Sequence, residues 1–434
     1  MVKRDALEAG IPVGGETYDV IVAGGGPAGL GAAAGAALQG ARTLLLEGRS
    51  FFGGVAALAL WMPMNRLLLN DGPRGGVHDL FVAKVRSYGG DASREGKRNM
   101  IDGDGLHIHP EYLRLACFEL LEEVGCQYRL YSPVTGVLME GNRVTGVRVT
   151  SKEGLQAFQA SVVVDATGDG DVAHAAGAET VEGREEDGRH MPVSLVFALA
   201  NVDPDRFFAF REAEPQRFNE VLDEAAQAGY AVAAWYSFDR TTVPGVLSVN
   251  NGAHRDLGNI DGASSRDLTL AERIGIQVAI DFVRLARAWR IPGLEFCHLM
   301  RVGSAVGVRD TRRLVGEYVV TVEDARTGAE FADVVARKYG AIDANQLFVG
   351  EMKSGFAYPY RSMLPKTIDG LLVAGRCGSA TFLGHAAGKS MGNMMEVGQA
   401  AGVAAALCAV KGIAPRDLSV SELQATLRVM GVYL

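Results

Sequence analysis

The stretch Val20-Ile-Val-Ala-Gly24-Gly25-Gly26-Pro27-Ala28-Gly29-Leu30 decides the fold. An apolar strand runs straight into Gly24-x-Gly26-x-x-Gly29, and a slim helix of small residues, Ala32-Ala-Ala-Gly-Ala-Ala37, follows. Each glycine has a separate task. Gly24 allows the tight turn out of the strand, Gly26 lets a pyrophosphate approach the backbone, and Gly29 lets the helix pack closely on the strand. The phosphates then lie at a helix N-terminus, where free N–H groups and the helix dipole favour anions. Ala41-Arg-Thr-Leu-Leu-Leu46 reads as a second strand. Glu47 ends it, at about the 20-residue interval expected for the acid that binds ribose hydroxyls. A carboxylate there suits a free 2′-OH and repels a 2′-phosphate. With 55 glycines in 434 residues, the glycine spacing alone is weak, and a plain glycine turn in a βαβ unit is the alternative. The flanking strands and helix favour a dinucleotide site, and leave NAD and FAD both open.

The length allows two or three domains with a sizeable core. A hydrophobic content of 48% and a charged content of 22% are those of a soluble globular protein. A net charge of −8, a pI near 5.6 and the lack of any basic run argue against a nucleic-acid partner. The first ten residues carry acids where a signal peptide needs an apolar core, so a cytoplasmic protein is expected. Val397 to Val410 is the longest weakly polar stretch and reads as too short to span a bilayer. The five cysteines include no C-x-x-C, which fits reduced thiols and excludes the redox disulfide of disulfide reductases. The same lack of cysteine clusters argues against an iron–sulfur centre.

The pattern predicts an α/β fold. It has a Rossmann-type nucleotide-binding domain, with a parallel sheet and a β excursion, and an inserted α+β substrate domain. The expected boundaries are a lead at 1–18, the first part of the nucleotide domain at 19–180, a substrate or cap domain at 181–355, and the closing strand and helix at 356–434. Within the first part, Pro110 opens a helix from Glu111 to Val124. The segments Gln127–Leu130, Val134–Met139 and Arg143–Thr150 read as strands, with a Gly141-Asn142 hairpin turn. The inserted part is richer in charge and aromatics. Helices are expected near 204–228 and 267–289, and strands near 193–201, 246–250 and 315–322. Asn393 to Ala409 reads as a final small-residue helix.

Three apolar strands end in glycine: Val-Ala-Gly24, Asp-Ala-Thr-Gly168 and Val-Ala-Gly375. If parallel, all three finish at the ligand-binding edge of one sheet. An NAD dehydrogenase needs only the first, whereas a cofactor with an extra ring system needs further close backbone approaches.

Here the chain resembles the glutathione-reductase-like flavoproteins. Within them it is similar to the FAD-dependent oxidoreductase family whose domain also occurs in the flavoprotein component of heterodisulfide reductase. The likeness covers nearly the whole chain and rests on an ordered set of motifs. They are Gly24–Gly29 with Glu47, Gly53-Gly54, Val164-Asp-Ala-Thr-Gly-Asp-Gly-Asp171, Val308-Arg-Asp-Thr-Arg-Arg313, Tyr358-Pro-Tyr-Arg361, Leu371-Leu-Val-Ala-Gly-Arg376 and Val397-Gly-Gln-Ala-Ala-Gly402. The resemblance implies FAD. It places Gly24, Gly26, Pro27, Ala28 and Gly29 at the pyrophosphate, Glu47, Gly48 and Arg49 at the adenosine ribose, and Val134 at the adenine. Gly53, Gly54, Val55, Ala166, Thr167, Gly168 and Asp169 line the cofactor's middle and reactive parts. Gly375 and Arg376 sit beside the ribityl chain, and Gly392 and Asn393 face the flavin pyrimidine ring. A helix N-terminus there stabilises the negative charge of a reduced flavin; a purely structural helix, packed on the Ala32–Ala37 helix, is compatible with that role. The chain departs from the family's pattern in two places. Val55-Ala-Ala57 follows the second glycine pair where members carry a Thr, and the histidine after the Gly-Arg strand comes late, at His385.

Hydride chemistry at flavin N5 often needs a base for the accompanying proton. His385 lies near the inferred flavin and titrates near neutral pH. Lys389 suits a substrate carboxylate or the flavin O2, and Arg309, in a cluster with Arg312 and Arg313, suits a bidentate carboxylate clamp. Arg361 either shapes the substrate pocket or fixes the crossover into the last strand. Structural readings stand beside all four: a loop histidine, a solvated lysine, an ion-pair hub and a crossover clamp. The halogenase pattern W-x-W-x-I-P is missing at Trp61-Met62-Pro63. His107 and His109, beside Asp102 and Asp104, read as turn chemistry, and no metal is expected. The expected activity is FAD-dependent hydride transfer with a small organic substrate. The alternatives are an NAD(P)H-dependent monooxygenase or reductase, and an FAD-binding electron-transfer subunit. The electron acceptor and any homo-oligomer are left open.

Overall fold

A computed structural model describes residues 15–61, 64–65, 68–69, 72–88, 105–106, 108–350, 352 and 354–434. Asp102, Asp104, His107, Met62 and Pro63 lie outside the described residues, as does most of the 1–18 lead.

β1 (Thr17–Ala23) is fully buried from Val20 to Ala23, as a central parallel strand covered on both faces must be. It turns through Gly24–Gly26 into α1 (Pro27–Leu38) and returns as β2 (Thr43–Leu46), parallel to β1. Pro27 opens α1, where its missing N–H costs nothing. After α2 (Val55–Leu58), α3 (Gly76–Ser87) and α4 (Pro110–Glu123), β3 (Gln127–Arg129) adds to the far side of β2. The hairpin β4 (Val134–Glu140) and β5 (Arg143–Ser151) is the expected excursion, turning at Gly141. β6 (Gly154–Asp165) serves both parts. Its first half pairs antiparallel with β5, and its second half runs parallel to β1 up to Ala23↔Asp165. α5 (Asp171–Ala175) follows.

A second sheet then forms from β7 (Phe197–Ala200), β8 (Tyr236–Arg240), β9 (Val246–Asn251) and β10 (His298–Val302). It is antiparallel, in the order β8-β9-β7-β10. α6 (Pro204–Ala213), α7 (Pro215–Gln227) and α8 (Ser265–Ala288) build a separate aromatic core on it, in which Phe207, Phe218, Phe238 and Phe282 meet edge-on or tilted. The helix expected near 204–228 is therefore two helices. Pro215 cannot donate to the preceding turn, so Glu214 leaves the helical region and Pro215 starts afresh.

The strand expected at 315–322 does not form. Gly316 and Val320 make single bridges to Pro365 and Ala380, and Thr321 then caps α9 (Val322–Thr327) in a box with Asp324. Among the described residues the buried Val320 pairs through that single bridge alone, so no ladder extends from it. β11 (Val334–Lys338) pairs antiparallel with β12 (Phe356–Pro359), and β13 (Leu371–Val373) joins the main sheet parallel to β6. α10 (Phe382–Ala386), α11 (Met391–Lys411) and α12 (Val420–Val429) end the chain.

α11 is longer than the sequence reading, at 21 residues, and is long and apolar enough to cross a membrane by length and composition. In this fold its apolar surface is buried against α1 and the sheet. The two helices touch backbone to backbone. A Cβ on Gly398 would lie 1.9 Å from Ala28 O, one on Gly402 1.9 Å from Ala32 O, and one on Gly31 2.0 Å from Met395 O. Overpacking such a contact costs about 3 kcal/mol or more, since neither backbone can yield. Gly398→Leu is therefore expected to lower the unfolding free energy by at least that amount in urea titration; an unchanged midpoint would show that the helices can separate freely.

Candidate functional site

β1, β6 and β13 end level with one another, through the pairs Ala23↔Asp165 and Asp165↔Val373. The three glycine junctions therefore emerge together at the C-terminal edge of the sheet, at the point where the chain leaves β1 to either side. Gly24, at φ +95°, runs so close to the second junction that a Cβ would lie 2.5 Å from Ala166 O. Gly29 faces Gly24 O in the same way, at 1.7 Å. Gly26 differs: a Cβ there would meet only Gly54 Cα, at 3.9 Å. The fold does not need that position bare, so its openness is available to a ligand. α1 has no side-chain cap and no acid in its first turn. Its first N–H groups are left for an anion. Gly53 donates to Gly25 O at 2.8 Å, which lays Gly54 and Val55 directly over the fingerprint loop.

Glu47 is fixed beside this loop. Its carboxylate accepts the N–H of Gly25 and of Arg49, each at 2.8 Å, one on each oxygen. Each oxygen keeps a lone pair for a ribose hydroxyl. Backbone bonds from Ser132 to Glu47 O and from Tyr131 to Arg49 O tie Gly48 and Arg49 to the strand that begins at Val134. The second junction is shaped from below: buried Asp165 accepts the N–H and hydroxyl of Thr167 and the N–H of Ala173. Beyond Gly168, Asp169 accepts Arg376 at 2.7 Å and the Thr311 hydroxyl at 2.9 Å. Arg376 thus spans the loops after β6 and β13. Arg312 holds Asp169 O and Asp171, and buried Arg313 holds Gly183 O and Ala380 O, so these two arginines are occupied by loop architecture.

The first turn of α11 carries Gly392 and Asn393, and the Asn393 side chain is fully engaged. It donates to Tyr339 O and Gly388 O, and accepts from Arg74 at 2.6 Å. Arg74 in turn meets buried Glu396 at 2.5 Å. Burial pushes the Glu396 carboxyl up to about 7 despite that guanidinium. What Asn393 can offer a cofactor is its backbone N–H. Arg74 and Glu396 carried no sequence signal, because Arg74 sits in a turn-rich segment and Glu396 inside an apolar helix.

Next to this turn lies a small cleft, lined among others by Lys338, Tyr358, Gly375, Gly378, His385 and Met394. His385 is buried, and its Nε2 lies 2.9 Å from Arg309 O. A carbonyl only accepts, so Nε2 carries the proton and Nδ1 the lone pair. Burial holds this imidazole far below its ordinary pKa, so it is neutral. Arg309 donates to Pro192 O and lies 5.8 Å from the Trp235 ring, and burial lowers its guanidinium to about 10. Lys389 meets Asp343, and burial lowers it to about 8. His385, Arg309 and Lys389 are thus brought together, with Asp343 among them. Arg361 is not: it is half-exposed, paired with Asp333 at 2.9 Å and set over Tyr318. His109 caps α4 by accepting the Glu111 N–H and packs on Trp61 and Tyr112. Sequence reasoning missed Lys338. The usable signal was the alternation Val334-x-Ala336-x-Lys338, which puts a lysine on an apolar strand face.

Residues 19–427 match the FAD dependent oxidoreductase family. Two similar curated proteins are digeranylgeranylglycerophospholipid reductases. That of Picrophilus torridus is 30% identical over 35% of this chain and 39% of the relative. That of Thermoplasma acidophilum is 26% identical over 50% and 52%. The chain spans about half the length of the curated relatives it matches. A geranylgeranyl bacteriochlorophyll reductase-like protein of Thermoplasma acidophilum superposes with a TM-score of 0.51 at 17% identity, over 96% of this chain and 83% of that one. The flavin-dependent brominase Bmp2 gives 0.50 at 13% identity, over the same shares. At such identities these two structures show the shared fold. The family makes FAD the dinucleotide, and the bare Gly26, the uncapped α1 and the poised Glu47 fit it.

Glu47→Gln should leave the fold intact and weaken FAD binding by on the order of tenfold to a hundredfold, the loss of charged hydrogen bonds. Fluorescence titration of the apoprotein with FAD measures it; wild-type affinity would remove Glu47 from the site.

Proposed function

Since the chain belongs to the FAD dependent oxidoreductase family, we propose that it transfers a hydride between a small organic substrate and flavin N5. The observation that carries this reading is the cleft at the end of β13, where Gly375 and Gly378 face buried Lys338 and His385, with Arg309 held against His385. Bound FAD supplies a two-electron acceptor or donor. The protein's own residues supply the rest. FAD lies along the three glycine junctions with Glu47 at its ribose and the first turn of α11 at its ring, and residues 181–355 form the substrate or cap domain. Arg309, held between Pro192 and Trp235, orients a polar substrate group. His385 offers a neutral acceptor at Nδ1. Because its pKa is so low, it positions a proton without retaining it. Lys389, at about 8, is better matched to carrying that proton near neutral pH. Arg361 serves the crossover through Asp333.

The ordered motifs also support placing the chain with the glutathione-reductase-like flavoproteins and the related domain of heterodisulfide reductase. The curated relatives named as reductases of a polyprenyl lipid favour reduction of a carbon–carbon double bond, with an alkene-bearing substrate. Five buried, unpaired cysteines support a reducing, cytoplasmic setting.

Two measurements test this. An anaerobic screen of reduced metabolites, and of alkenes against the prereduced enzyme, should find compounds that bleach or restore the flavin band. Bleaching by NADPH followed by oxygen-dependent hydroxylation would instead make the protein a monooxygenase. His385→Ala should slow substrate-linked flavin reduction by on the order of a hundredfold with FAD content unchanged; equal rates in mutant and wild type would remove His385 from the mechanism.

A further inference from the structure

Lys338 closes β11, and its aliphatic stem is buried on the apolar face of that strand. The side chain is only 4% exposed. Its ammonium lies 5.6 Å from the Phe356 ring centroid and 5.5 Å from that of Tyr358. Among the described residues it has no carboxylate and no hydrogen-bond acceptor. Tyr358, directly opposite Ala336 on β12, is equally buried, and its hydroxyl has no hydrogen-bond partner among the described residues. That hydroxyl points toward Gly378, where a Cβ would lie 2.8 Å from it. Both residues line the cleft beyond β13. Two donors without acceptors thus open on one cleft from otherwise buried side chains, an arrangement that an anion there would complete.

We propose that Lys338 and Tyr358 form an anion-receiving pair that takes up the negative charge the flavin ring acquires when it is reduced. Two electrons and one proton added to the ring leave it with one net negative charge; the electrons come from the hydride donor, and Lys338 makes no covalent bond. The groups facing Lys338 support this assignment. α11 presents Met394 and Val397, β12 presents Phe356 and Tyr358, the loop after β13 presents Gly375 and Gly378, and α10 presents His385. The nearest further charge is another cation, Lys389. Burial and, second, repulsion from Lys389 lower the Lys338 ammonium to about 7. The proposal rests on FAD occupying the crevice and is independent of which substrate is used.

Lys338→Met, Lys338→Gln and Tyr358→Phe, reconstituted with FAD, test it. Sulfite adds to the oxidised flavin and places the same negative charge on the ring without any substrate. The sulfite dissociation constant should rise on the order of tenfold to a hundredfold in the lysine variants and a few-fold in Tyr358→Phe, and the flavin midpoint potential should fall in the same order. Lys338→Arg should restore most of both. Apoprotein stability gives a second readout. The folded pKa lies below the ordinary 10.5, so the buried ammonium destabilises the fold fully below pH 7 and ceases to do so as pH rises to 10.5. Apo Lys338→Met should therefore melt higher than wild type at pH 6, with the gap closing at alkaline pH. Unchanged sulfite affinity and potential in variants that hold FAD would overturn the proposal. So would loss of oxidised FAD from all three folded variants, since the pair would then serve retention of the cofactor. A Lys338→Met apoprotein that is less stable than wild type at pH 6 would assign the lysine a structural role.

Discussion

The backbone contact between α1 and α11 is the constraint on which the rest of the structure depends. Gly31, Gly398 and Gly402 let the two helices meet main chain to main chain, with no side chain between them to slide or rearrange. α1 is fixed by its own βαβ unit, with its uncapped N-terminus at the end of β1. Seating α11 on it then fixes where the last helix begins, far along the chain from the first. The network of Asn393, Arg74 and Glu396 locks that first turn, because each buried polar group finds its partner only in this arrangement. The N-termini of two helices thereby reach one crevice, although one belongs to the first unit of the chain and the other to the last.

Charge is distributed against the protein's own average. The chain carries a net charge of −8, yet Lys338 lines the cleft and Lys389 and Arg309 lie buried in the surrounding structure, all three lowered in pKa by burial. Burying cations costs several kcal/mol each when they are poorly paired. Asp343 and Asp310 relieve part of that cost for Lys389 and Arg309, whereas Lys338 has only the Phe356 and Tyr358 rings and no carboxylate among the described residues. The charge of a reduced flavin, which we propose this lysine receives, would offset that cost.

Much of this was legible in the residues. The fingerprint at Gly24–Gly29, Glu47, the excursion from Val134 to Thr150 and the final helix all depend on local rules: strand alternation, turn glycines and helix composition. Even the packing of α11 on α1 could be inferred from small residues in both. Sequence and structure part where a long-range partner overrides local preference. The run at 315–322 has strand-forming residues, yet among the described residues it pairs only through single bridges to Pro365 and Ala380. Arg361 stands in a motif near the cofactor strand, yet Asp333, from a distant loop, holds it at the surface. The engagement of the Asn393 side chain by Arg74 and by the carbonyls of Tyr339 and Gly388 is likewise set by partners far along the chain.

The sequence by itself determined that a dinucleotide would bind after β1, because the geometry of a phosphate turn is set by glycines within a few residues of one another. Only the tertiary structure decided which side chains share the cleft beyond β13. Lys338, Tyr358 and His385 come from three separate segments, and desolvation, which sets their protonation, is a property of the assembled surroundings rather than of any one segment.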